Sequence, residues 1–163
     1  MKVIVFDMDG TIADLYGYPN WLKALRNEDE TPYSGCKPLV DMRELYKVLM
    51  ALKKVGYRIV VTSWLSKDSS KEYKSKVRKA KKDWLITRGF PYDEVHLVQY
   101  GTTKADCTRK LGGFQILVDD NEKVLKGWHL GATINAKSDI IKALYRLCLL
   151  YTSPSPRDPK TSR

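Results

Sequence analysis

Apolar residues fall along this chain in short unbroken runs, separated by stretches in which they recur every three or four positions. Val3-Ile4-Val5-Phe6 is the first run, β-branched and suited to a buried strand. Ile59-Val60-Val61, Val95 to Val98 and Ile116-Leu117-Val118 follow, with Ala132-Thr133-Ile134 as a weaker fifth. Continuous runs suit strands covered on both faces, because a sheet with one wet side shows alternation instead. Between the runs, Met42, Leu45, Val48, Leu49 and Leu52 repeat at helical spacing, and Gly56 follows as a stop. Tyr73, Val77, Ala80, Trp84 and Leu85 form a second stripe that ends before Gly89. Strand alternating with helix predicts an α/β fold: a parallel sheet flanked by helices on both faces.

Two segments break this pattern. Gly17 to Pro38 carries Pro19, Pro32, Gly35 and Pro38, with a short helix possible around Trp21 to Leu25. It reads as a small lid or loop inserted at about residues 15–40. From Tyr151 the chain turns rich in proline and serine, the composition of a disordered segment. From Cys148 onward it also resembles read-through of a sequencing adapter. The resulting division is one domain over residues 1–148 and a disordered or artefactual tail over 149–163, and 163 residues suit a single domain.

The formal net charge is +10, which favours anionic partners such as nucleotides, nucleic acids or phosphosugars without choosing among them. Leaving out residues 149–163 removes three basic residues and one acid, so the charge falls only to +8. Residues 67–83 hold eight Lys or Arg (Lys67, Lys71, Lys74, Lys76, Arg78, Lys79, Lys81, Lys82) against Asp68, Glu72 and Asp83, a local net of +5. Cys36, Cys107 and Cys148 lie far apart and form no CxxC pair, which fits a reducing, cytoplasmic setting. The apolar stretch at the N-terminus is broken by Asp7 and is too short for a signal peptide or a membrane span.

The chemistry-bearing residues begin where the first strand ends, at Asp7-Met8-Asp9-Gly10-Thr11. Two carboxylates two residues apart at the end of a buried strand are costly unless paired or metal-bound. That edge of an open α/β sheet is where ligands bind. An aspartate there can attack phosphorus as a covalent nucleophile. A second can protonate the leaving oxygen and later deprotonate a water. Gly10 allows a sharp turn and a close approach of backbone to phosphate. The bland alternative is an ordinary strand-to-turn boundary, where Asp and Gly are common.

Phe6-Asp7-Met8-Asp9-Gly10-Thr11 resembles the first motif of the haloacid dehalogenase superfamily of phosphohydrolases. Val60-Val61-Thr62-Ser63 resembles its second motif, Lys104 in Thr102-Thr103-Lys104 its third, and Val118-Asp119-Asp120-Asn121 its fourth. The resemblance spans residues 2 to about 136, with four motifs in order on suitable elements. It implies a Rossmann-like sheet with a minimal cap and a Mg²⁺-dependent phosphatase working through an aspartyl-phosphate. It also implies roles for each residue. Asp7 is the nucleophile and a metal ligand. Asp9 is the acid and base, with its backbone carbonyl on the metal. Gly10, Thr62, Ser63, Trp64 and Lys104 bind substrate phosphate, with Thr62 and Lys104 also catalytic. Asp119 and Asp120 complete the metal site, Asp120 as direct ligand and Asp119 as partner of Lys104. Taken singly, Thr62 and Lys104 are ordinary residues, and Asp119-Asp120 would serve as a helix N-cap ahead of Glu122.

A finer resemblance, to the 5′(3′)-deoxyribonucleotidase branch, rests on Ala13-Asp14, Lys82-Asp83-Trp84-Leu85, Phe90-Pro91, Trp128 and Gly131. It implies a nucleoside monophosphate as the small phosphorylated substrate. The insert at 12–40 is shorter than the helical cap such enzymes carry. Tyr16, Tyr18, Trp21 and Trp64 are candidates for stacking on a base, with core packing the alternative for each. Two other readings stand beside this one. The basic stretch at 67–83 suits a phosphatase acting on nucleic-acid ends. The same fold also suits a non-catalytic nucleotide-binding module. The sequence leaves the oligomeric state open.

Overall fold

The computed structural model describes residues 1–152. Each of the five apolar runs forms a strand: β1 (Lys2–Phe6), β2 (Tyr57–Trp64), β3 (Glu94–Val98), β4 (Phe114–Asp119) and β5 (Gly131–Asn135). They make one parallel sheet in the order β3-β2-β1-β4-β5. β1 is therefore central. The chain leaves it toward β2 on one side and returns to β4 on the other, which makes the end of β1 the topological switch point. Phe6 stands opposite Val61 and Val118. One residue further, Asp7, Thr62 and Asp119 stand level on three adjacent strands.

Both faces of the sheet are covered. On one, Ile4, Phe6, Ile59, Val61, Ile116 and Val118 pack beneath α3 (Met42–Lys54) and α7 (Ile140–Thr152) through Leu45, Leu49, Leu52 and Leu144. On the other, Val3, Val5, Val60 and Leu117 pack on Trp128 and on Ala105 of α5 (Lys104–Thr108). A fully buried aliphatic side chain of this kind contributes about 1.5–3 kcal/mol relative to an exposed one. α7 runs on to Thr152, past residue 148, so residues 149–152 are helical and the boundary read at 148 falls inside an element. The rest of the expected tail lies outside the described residues.

The stretch from Gly17 to Pro38 holds two short helices, α1 (Trp21–Arg26) and α2 (Thr31–Gly35). Pro32 sits in the first turn of α2, where a missing N–H costs nothing. The two stems of this insert are joined by Asp14 N–H to Lys37 C=O at 2.8 Å and Leu39 N–H to Ile12 C=O at 2.9 Å. α4 (Lys71–Thr87) supports it. Tyr73, Val77 and Ala80 pack against Leu15 and Tyr33 of the insert, while Trp84 and Leu85 join the core below the sheet. Polar bonds reinforce the contact. Glu28 accepts from the Ser70 N–H at 2.7 Å and hydroxyl at 2.6 Å, and the Trp84 indole donates to the Cys36 carbonyl at 2.9 Å. The insert is thus a small docked cap. No helix among the described residues is long and apolar enough to cross a membrane.

Candidate active site

β1 delivers Asp7 to the floor of a cavity of about 430 Å³ between the sheet edge and the cap. The backbone then winds tightly: the N–H groups of Thr11, Ile12 and Ala13 all point at the Met8 carbonyl, at 3.0–3.2 Å. Gly10 holds this turn with φ +79°, and a Cβ there would meet Asp120 Oδ2 and the Tyr16 ring, each at 2.7 Å. Only glycine fits both the conformation and the space.

Lys104, at the start of α5, reaches in with its ammonium buried. It donates to Asp7 Oδ1 at 2.6 Å and to Asp119 Oδ2 at 2.5 Å. The Thr11 hydroxyl spans the other side, 3.2 Å from Asp7 Oδ2 and 3.3 Å from Asp120 Oδ1. Asp119 Oδ1 accepts the Asn121 N–H at 2.8 Å. The side chain that caps α6 (Glu122–Lys126) is Asn121, so neither acid is spent as a helix cap.

Asp7, Asp119 and Asp120 can bring one carboxylate oxygen each within 4.8 Å of one another. An all-oxygen, carboxylate-rich donor set near a cavity suits Mg²⁺, which takes few protein ligands and keeps waters. Burial and the charge of Asp7 push Asp119 up to about 6, against the pull of Lys104. Burial, then Asp7, also raises Asp120. Burial alone would lower the Lys104 ammonium, but Asp7 and Asp119 carry it above its ordinary value. These carboxylates repel one another, and a divalent cation would relieve that repulsion. The Asp9 carboxylate is not one of this trio.

Asp9 is instead held by Lys81, one of the eight cations of residues 67–83, which is fully buried. Its ammonium donates to Asp9 Oδ2 at 2.5 Å, Ser63 Oγ at 2.9 Å and the Trp64 carbonyl at 2.8 Å, and lies 5.1 Å from the Tyr33 ring centre. With Lys81 internal, the surface of residues 67–83 carries seven basic side chains against three acids, a net of +4 rather than +5. The signal was present in the spacing. Lys81 is four residues after Val77 and three before Trp84, on the apolar stripe itself.

The other residues singled out fall as follows. Thr62 is fully buried, and its hydroxyl has no hydrogen-bond partner among the described residues. Ser63 is buried and engaged with Lys81. Trp64 lines the cavity, its indole N–H fixed on the Thr102 carbonyl at 2.8 Å and its ring 5.1 Å from that of Tyr100. Tyr16 and Trp21 meet edge to face at 5.1 Å on the cap side of the cavity. Tyr18 does not line the cavity and packs against the main core, so core packing describes it. Tyr33 and Tyr100, absent from the sequence reading, complete the aromatic lining. His96 lies beside Glu94 on β3, and His129 is exposed against Arg109.

This architecture has known counterparts. The chain shares its fold with a phosphatase. It is similar to the D,D-heptose 1,7-bisphosphate phosphatase from Burkholderia thailandensis, with a TM-score of 0.52 and 14% identity over 94% of this chain and 99% of that one. It is also similar to a chain in the structure of the Pnkp1/Rnl/Hen1 RNA repair complex, with a TM-score of 0.51 and 21% identity over 82% of this chain. The match spans 42% of that longer chain. No family model and no curated protein matches the sequence.

Proposed function

We propose that this chain is a Mg²⁺-dependent phosphomonoester hydrolase of the haloacid dehalogenase type, acting on nucleoside monophosphates. One observation carries the reading: Asp7 stands at the switch point of the sheet, bridged by Lys104 to Asp119 and close to Asp120. Asp7, Asp119 and Asp120 would hold the metal, which supplies charge to offset that of the phosphoryl oxygens. An Asp7 oxygen attacks phosphorus, the bond to the leaving oxygen breaks, and Asp9 gives that oxygen its proton. Asp9 then takes a proton from water, whose oxygen attacks the aspartyl-phosphate, releasing phosphate and restoring Asp7. Lys104 holds Asp7 in place and neutralises charge beside it. Thr62 does not itself line the cavity, but its hydroxyl, level with Asp7 and without a hydrogen-bond partner among the described residues, supports a phosphate site at the end of β2, because a buried polar group without a partner costs about 1–3 kcal/mol.

The aromatic lining supports a nucleoside as the group carried by the phosphate. Tyr16, Trp21, Tyr33, Trp64 and Tyr100 surround the carboxylate floor, and bases stack on such faces for about 1–3 kcal/mol each. A second reading, a phosphatase for nucleic-acid ends, is favoured by the exposed cations of α4. A phosphate-release assay with Mg²⁺ separates the two. It spans mononucleotides, phosphosugars and 5′- or 3′-phosphorylated oligonucleotides, with wild type and with Lys74, Lys76, Arg78 and Lys79 all changed to Gln. The expected result is turnover of mononucleotides that the four changes leave alone. Activity confined to oligonucleotides, lost in the variant and with a shallower salt dependence, would favour the second reading instead.

A further inference from the structure

A lysine with no exposed surface inside an amphipathic helix is an expensive choice, since desolvating an ammonium costs several kcal/mol unless every proton finds an acceptor. At Lys81 all three do: Asp9 Oδ2, Ser63 Oγ and the Trp64 carbonyl. These acceptors come from the turn after β1 and the end of β2, and the Tyr33 ring adds a face from the cap. Bringing them together through an apolar residue would cost less. What an apolar residue cannot do is hold a carboxylate.

We propose that Lys81 is a positioning residue for Asp9. Its ammonium takes up Oδ2, leaving Oδ1 as the oxygen that exchanges a proton with the leaving group and the attacking water. Through Tyr33 and α4 the same contact ties that setting to the docked cap. Lys81 itself gives and receives no proton. The proton passes between Asp9 Oδ1 and the leaving oxygen while the phosphorus–oxygen bond breaks and its electron pair stays on that oxygen. The inference rests on the proposed phosphatase reaction and deepens it.

Leaving-group chemistry provides the test. An alkyl phosphate such as a nucleoside 5′-monophosphate needs the proton from Asp9, whereas p-nitrophenyl phosphate, with a stable leaving anion, hardly does. kcat/KM covers steps up to departure of the leaving group, so it isolates this proton transfer. The full chain is assayed with Mg²⁺ as wild type, Lys81→Met, Lys81→Arg, Asp9→Asn and the double variant Asp9→Asn/Lys81→Met. General acid catalysis contributes about 10²–10⁴-fold. Lys81→Met should therefore lose about 100-fold or more on the alkyl ester, mostly in kcat, and less than about 10-fold on the aryl ester. The double variant should be no slower on the alkyl ester than Asp9→Asn alone. Equal losses on both esters, or losses that multiply in the double variant, would make Lys81 a purely structural residue and overturn the proposal. If Lys81→Met fails to fold, Lys81→Arg keeps the charge and decides by the same alkyl-over-aryl bias. Inactive wild type would overturn the phosphatase reading and this inference with it, whereas an active wild type with an indifferent Lys81→Met overturns this inference alone.

Discussion

At the scale of single residues, the site is a balance of charge. Asp7, Asp119 and Asp120 crowd together with Lys104 as the cation among them, and burial raises the proton affinity of Asp119 and Asp120. A divalent ion that binds this trio stabilises the folded chain by about 2.7 kcal/mol at a hundred times its Kd. Thermal unfolding with and without Mg²⁺ should therefore show a clear upward shift of Tm. Asp120→Asn removes one ligand and one repelling charge, so it should leave the metal-free Tm equal or higher and cut the Mg²⁺ shift by more than half. A full shift in that variant would take Asp120 out of the metal site.

The residues differ in how openly the sequence announced them. Asp7, Asp9 and the Asp119-Asp120 pair sit next to buried strands, where an unpaired carboxylate is conspicuous. Lys81 was hidden by its neighbours. Among eight cations in seventeen positions it does not stand out, although its spacing from Val77 and Trp84 places it on the buried face. Tyr33 and Tyr100 carried no local signal, because only the folded cap and the loop after β3 bring them to the cavity.

At the scale of elements, strands were legible because runs such as Val3-Ile4-Val5-Phe6 are buried on both sides and need no alternation. The long helices α3 and α4 declared themselves by periodicity. α2 did not: five residues containing Pro32 and Gly35 show no period, and its stability comes from docking on α4. Asp93 illustrates how elements are joined. Ahead of β3, it accepts the Ile59 N–H at 2.8 Å and the Lys53 ammonium at 2.6 Å, linking α3, β2 and β3. Partial burial alone would raise its carboxyl, but these two partners hold it below the ordinary value of 3.8. A depressed folded value means that its stabilisation is present above the unfolded range and is lost as pH falls through the folded one. Asp93→Ala should cost about 1 kcal/mol near pH 7, since the group is partly solvated. Denaturant melts should show that difference shrinking below about pH 4 as the wild-type carboxylate is protonated. A deficit that stays constant down to pH 3 would mean that the charge of Asp93 contributes nothing.

At the scale of the whole molecule, a five-stranded parallel sheet puts its switch point where the acids lie, and a small cap docked on α4 closes one side with aromatic rings. The fold explains why distant segments come together: residues 7–11, 62–64, 81, 104 and 119–121 meet because β1 is central and α4 carries Lys81 to the turn that follows it. The central claim is that Asp7 attacks phosphorus, and its replacement tests that most directly. Phosphate release from a nucleoside monophosphate is measured with Mg²⁺ for wild type and for Asp7→Asn, with circular dichroism to check the fold. An amide is a poor nucleophile, so turnover should fall by at least about a thousandfold while the spectrum stays unchanged. Near-native turnover by folded Asp7→Asn, or no turnover by wild type on any phosphate ester, would contradict the account.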